Sequence, residues 1–343
     1  MKVVNDNNIG NPYHDEEGKF TTPDGVGNGG SSAPSSGDDY TDDDLLGLYD
    51  ELFGDDVEEN EELQKIFGEI SDNTLLPVSK MTEQQIILEI EKRIENLKNK
   101  NMIIKGPFFA NDLVLKLGSL RQLDLVTDKY NIKFSKEFLI QEIYDPDEAV
   151  AWIPTSASYG YDGGSFILEL QSNGIIFNKY DMFNMKETGF MISGEQSING
   201  WVKTSKDFYP EVVACHECGH ILCNSIFNEM IRTKSFDVAH YLYAASQGKY
   251  GNKEDKKNNP VKNMIDDIIK NEIMERVFEI YTVQNPGLGI RDFEREKSKY
   301  GRSCASEWFA ETFASMNGGE PTKSALALQE YLNGFFNFNG GNK

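Results

Sequence analysis

His216 and His220 stand four residues apart and bracket Glu217 in the stretch His216-Glu217-Cys218-Gly219-His220. On an α-helix, positions i and i+4 lie one above the other, so two imidazole nitrogens can meet a single metal ion. Glu217, about 100° further round, then stands beside the ion without ligating it, where a general base is needed. The spacing demands a helix, and its neighbours Val212, Val213, Ala214, Ile221, Leu222, Ile226 and Phe227 make that helix apolar on nearly all sides, hence buried. Burying two imidazoles and a carboxylate costs on the order of several kcal/mol unless something compensates them, and a divalent cation would do so. Pro210 and Glu211 suit the first turn, while Arg232 and Lys234 suit the far end. The competing reading is a pair of hydrogen-bonded core histidines.

A catalytic zinc takes three protein ligands and leaves one position open. Cys223 and Ile226 occupy the places where the extended metzincin pattern would put Gly and a third His. A downstream glutamate is the alternative, and Glu307 and Glu311 share one face of the mostly apolar helix expected over Ser306–Ala314. Trp308, Phe309, Ala310, Phe313 and Ala314 surround them with core-forming side chains, which argues against surface carboxylates.

Cys215, Cys218, Cys223 and Cys304 are the cysteines. The first three share one helix, too close and too divergent to pair within it, so reduced thiols and a reducing compartment are expected. A structural zinc knuckle from Cys215, Cys218 and a histidine is a rival reading. It is disfavoured because the two thiols point about 60° apart and no second CxxC occurs. Cys223 reads as a small buried filler, His240 as structural and His14 as solvated.

Two segments resemble a known family. Tyr300-Gly301-Arg302-Ser303-Cys304-Ala305-Ser306-Glu307-Trp308-Phe309-Ala310-Glu311-Thr312-Phe313-Ala314 is similar to the YGR…EFFAEAF segment of the anthrax lethal factor type of zinc endopeptidase. The HECGH stretch is similar to that family's HEFGH, in the same order, although the separation between the motifs is considerably longer here. The resemblance implies Glu307 as the third zinc ligand, Tyr300 as the partner of the oxyanion or leaving group, and Glu311 as a support behind the ligands. It implies a zincin of the gluzincin type, with His216, His220 and Glu307 holding one Zn2+ per chain, Glu217 as general base, and a protein or peptide as substrate.

The 343-residue chain, 39% hydrophobic and 11% aromatic, is long enough for one large or two modest domains. A formal charge of -22 argues against a nucleic-acid binder and against adhesion to anionic membranes, and favours basic partners. No run approaches the length needed to span a bilayer, and Met1–Asp6 lacks the apolar core of a signal peptide. A cytoplasmic or particle-associated protein is therefore expected.

Residues 1–75 read as a disordered, acidic tail that cannot bury enough apolar surface to order itself. Leu45, Leu48, Leu52 and Phe53 recur in it at helical spacing among acids, as a short amphipathic helix that could dock on a basic protein. Asn11–Phe20 resembles an HDxxGKF-type tail segment of some bacteriophage head proteins. Residues 76–150 read as a helical subdomain, with helices from Thr82 to Lys100, about Asn111 to Tyr130 and about Ser135 to Tyr144. In residues 151–343, Ser165–Leu170, Gly174–Phe177 and Phe190–Ile192 read as strands. One of these could hold a peptide substrate by backbone pairing. Phe236–Ser246 and Val261–Val283 read as helices flanking a polar loop or lid, Gln247–Asn259. The expected class is α+β, a zincin-like metallopeptidase domain with a small mixed sheet and active-site helices. A non-catalytic zinc-binding structural protein, or a phage-particle assembly component that keeps such a fold, is the alternative.

Overall fold

The computed structural model describes residues 4–6, 78–146, 150–162, 165–180, 182, 209–250, 260–317 and 321–340. Most of the acidic tail, its amphipathic segment, the Phe190–Ile192 strand and most of the loop after Gln247 lie outside the described residues. Strand β1, Val4–Asp6, is the part of the expected tail that is described, and it pairs antiparallel with Tyr159–Ala157.

Thr82 starts helix α1, Glu83–Lys98, with the expected capping box: its Oγ1 accepts from the Gln85 backbone N–H, and Gln85 Oε1 accepts from the Thr82 N–H. Strand β2, Met102–Ile104, follows. Asp112 caps helix α2, Leu113–Lys129, which is buried along most of its length. The third expected helix of this region is instead a strand. In β3, Phe138–Ile143, Phe138 and Ile140 are wholly buried while Leu139 and Gln141 are less so. A short apolar run is ambiguous by periodicity alone, and here parallel pairing on both sides decides for strand.

Strands β4, Ala151–Trp152, β5, Thr155–Asp162, β6, Ser165–Ser172, and β7, Gly174–Asn178, complete the sheets among the described residues. One sheet has the order β2-β3-β7-β4, the first three parallel and β4 antiparallel to β7. The other is the antiparallel β5–β6 hairpin with β1 on its β5 edge. Residues 76–150 give two strands to a sheet completed by residues past 150, and both sides share one core.

Helix α3, Tyr209–Thr233, carries the HECGH stretch through the centre of that core. It packs on α2 on one side and on α8, Ala305–Asn317, on another, with β6 alongside. Asn228 pins β6 to it, donating to the Leu170 carbonyl at 2.7 Å and accepting from the Leu170 N–H at 2.8 Å. Beyond α3 come α4, Val238–Ser246, and one long helical rod made of α5, Pro260–Ile269, a π-helical turn, Lys270–Met274, and α6, Glu275–Gln284. Helix α7, Ile290–Glu296, then leads through the 3-10 turn Tyr300–Arg302 into α8, and α9, Lys323–Gly340, packs on α6 and α8. Phe293 of α7 lies between Tyr281, which it meets edge-on, and Trp308, which it meets at a tilt, tying the rod to α8. No helix among the described residues is long and apolar enough to cross a membrane.

Candidate metal centre

Val212, Val213, Ala214, Cys215, Cys218, Ile221, Leu222, Cys223, Ile226 and Phe227 are all buried, so α3 is apolar on nearly all sides as its composition predicts. His216 and His220 project from it toward α8. Their Nε2 atoms lie 3.2 Å apart, and Glu307 Oε2 lies 3.2 Å from the first and 3.4 Å from the second. Among the described residues these three form the grouping of His, Cys, Asp and Glu whose ligand atoms converge closely enough to hold a metal ion. A tetrahedral ion with ligand distances of about 2.0–2.1 Å separates its ligand atoms by about 3.3 Å, the size of this triangle. Neither oxygen of the buried Glu307 carboxylate accepts a hydrogen bond, an expensive condition in a core unless a cation stands there. The residues present therefore fit a divalent ion.

The electrostatics point the same way. Burial opposes a charge on His216, yet Glu307 and Glu311 outweigh it and push its pKa up to about 10. Burial also opposes ionisation of Glu307, and His220 and His216 overcome it and hold its carboxyl well below the ordinary range. Both shifts say that the site stabilises a positive charge between the imidazoles and Glu307, which a metal ion supplies in place of protons. Burial raises the pKa of Glu217, against the pull of His216 and His220.

Contacts behind the ligands fix their directions. Glu311 Oε1 lies 3.0 Å from His216 Nδ1, so a ring proton on Nδ1 is held by Glu311 and Nε2 is the nitrogen turned toward His220 and Glu307. Ser298 donates to Glu311 Oε2 at 2.8 Å and accepts from the Gly301 N–H at 2.8 Å. Tyr300 is buried with its ring centroid 5.8 Å from that of His216, so the second motif does bring it to the cluster. Asp266 of α5 caps α8 from outside, its Oδ1 accepting from Ala305 N–H at 2.6 Å and Ser306 N–H at 3.3 Å. That cap positions the turn that carries Glu307.

Gly219 explains how the two motifs meet. A Cβ built there would lie 2.7 Å from Ala310 Cα, so only glycine lets the backbones of α3 and α8 approach this closely. Ser298, Asp266 and the Gly219–Ala310 contact are not foreseen from sequence. The one available signal is the glycine inside a buried helix, which asks for a packing reason.

The remaining expectations fall out as follows. The four cysteines are free thiols, with Cys215, Cys218 and Cys223 buried, and no cysteine joins the converging cluster. His240 is exposed, edge-on to Tyr241. At Leu170 the outer edge of β6 is taken by Asn228, so that position does not offer its backbone to a peptide. No protein-family model matches the chain, and no curated protein or solved structure matches it.

Proposed function

We propose that this chain is a zinc-dependent endopeptidase of the gluzincin type, with His216, His220 and Glu307 as ligands. The observation that carries the reading is the triangle of two imidazole nitrogens and an orphaned buried carboxylate oxygen, with Glu217 beside it on the same helix. Two nitrogens and one oxygen in this arrangement suit zinc, and they match the donor set of a catalytic rather than a closed structural site. When bound, zinc acidifies a water molecule and polarises the peptide carbonyl.

Glu217 accepts the proton of the attacking water and returns it to the departing amine, and its raised pKa suits a group that must do both. Glu311 holds the His216 ring with its proton on Nδ1 and its other nitrogen forward. Tyr300, beside His216, stabilises the oxyanion or the leaving group, a role that the resemblance to the lethal factor type of endopeptidase implies. The acidic character of the chain favours basic protein or peptide partners.

The test pairs metal analysis with proteolysis. Wild type should carry about one zinc per chain and cut members of a peptide library, Glu307→Ala should lose the zinc, and Glu217→Ala should keep the zinc and lose cleavage. Zinc retained in Glu307→Ala overturns the ligand assignment. Zinc bound without cleavage of any peptide moves the chain to a structural or assembly role.

A further inference from the structure

Ser298 lies in neither motif, on the connection between α7 and the Tyr300–Arg302 turn. Its hydroxyl is used in both directions. It accepts the buried Gly301 N–H at 2.8 Å and donates to Glu311 Oε2 at 2.8 Å, while Glu311 Oε1 holds His216 Nδ1 at 3.0 Å. Its backbone carbonyl accepts the Arg302 N–H at 3.2 Å, so Ser298 caps the 3-10 turn with side chain and main chain together. The turn is pressed flat on α8: a Cβ at Gly301 would lie 3.1 Å from Ser298 Oγ, 3.4 Å from Glu311 Cβ and 3.4 Å from Trp308 Cα. One line of hydrogen bonds thus runs from the turn that bears Tyr300 to the imidazole that faces the metal.

We infer that Ser298 is a positioning residue that couples the Tyr300 turn to His216 through Glu311, so that metal binding and the order of that turn strengthen each other. The inference rests on the metal-site reading above. A carboxylate held by a hydroxyl at one oxygen has a fixed orientation at the other, and an imidazole so oriented is the stronger ligand. By linkage, an ion that draws His216 into its binding direction also favours the hydrogen bond at Gly301. Threonine can keep this hydroxyl; alanine removes the donor to Glu311 and the acceptor of a buried N–H together.

Zinc dissociation constants, from competition with a chromophoric chelator, would be measured on the full chain for wild type, Ser298→Ala, Ser298→Thr, Glu311→Gln and the Ala/Gln double variant. Hydrogen exchange at the Gly301 amide would be followed with and without zinc. We expect Ser298→Ala to weaken zinc binding about 10- to 100-fold and Ser298→Thr to restore it. In the Glu311→Gln background Ser298→Ala should have no further effect, and zinc should slow Gly301 exchange in wild type. A merely structural serine would lower stability and leave the zinc constant unmoved. Unchanged affinity in Ser298→Ala with zinc-independent Gly301 exchange in wild type overturns the coupling, as do additive effects of the two substitutions. Wild type that binds no zinc fails at the earlier step, and the inference falls with the metal site.

Discussion

At the amino-terminal end of α3, Glu211 meets a buried network in which every cation faces a carboxylate. Arg121 grips Glu89 with two nitrogens at 2.8 and 2.7 Å, and Arg93 bridges Glu89 and Asp124 at 3.0 and 2.8 Å. Lys100 joins at Asp124. Further along the same helix, buried His216 and half-buried His220 converge with Glu307 of α8, their nitrogens 3.2 and 3.4 Å from Glu307 Oε2, yet neither Glu307 oxygen accepts a hydrogen bond. In the first cluster desolvation is offset inside the protein: burial raises the Glu89 and Asp124 pKa values, but their cationic and amide partners pull both below the ordinary range. The second cluster is compensated only when something positive is added. Polar burial that closes on itself is architecture, whereas polar burial left open marks a binding site.

Substitutions can break or sharpen this contrast. Glu217→Gln should cut peptide turnover by about 10²- to 10⁴-fold while leaving zinc stoichiometry unchanged, as read by kcat and elemental analysis. Arg121→Met keeps much of the volume but removes the arginine that faces Glu211 and one of the two that hold Glu89. It should cost about 3–5 kcal/mol in urea unfolding, and the folded protein should still bind its metal. A network substitution that abolished metal binding without unfolding the chain would erase the distinction between the two clusters.

Glu211 is the network's weak point. It lies 3.5 Å from Arg121, yet its Oε2 has no partner, and burial outweighs the arginine and pushes its pKa up to about 7. The ion-pair distance and the raised pKa are reconciled by that imperfect pairing. A carboxyl with a raised folded-state pKa binds its proton more readily when folded, so its contribution is largest at low pH and is lost as pH rises from about 4.5 through 7. Zinc-loaded wild type should therefore lose on the order of 3 kcal/mol from this group over that window, and Glu211→Gln should flatten the curve, as followed by urea midpoints. The smallest expected effect is that of Gly219→Ala. Overpacking against Ala310 should cost about 1–3 kcal/mol and should also weaken zinc binding, because it pushes α8 and Glu307 away from α3.

What was legible in the sequence is what one helix can express by itself. His216, Glu217 and His220 follow from spacing along α3, and the capping box at Thr82 follows from three consecutive positions. The arrival of Glu311 at His216, 95 residues away, depends on how α8 crosses α3, and no local period encodes it. The resemblance in the second motif pointed to Glu307, Glu311 and Tyr300. It carried no information about Ser298, which reaches Glu311 from outside the helix, or about Asp266, which caps α8 from a different one. The helix expected over Ser135–Tyr144 gives way to a strand for a related reason: the six-residue element is too short to show a decisive period, and its two parallel neighbours come from distant parts of the chain.

The π turn at Lys270–Met274 has a consequence for how this chain can vary. Ile265, Ile269, Ile273, Val277 and Tyr281 are all buried, and a repeat of four residues drifts by about 40° at each step of an ordinary α-helix. A turn closed by i to i+5 bonds takes up one residue more than an α turn and resets that drift. Loss of one residue between Lys270 and Met274 could convert the turn to regular helix and still leave Asp266 facing α8 and Tyr281 facing Phe293. Here the rod can change length while its two working ends keep their aim.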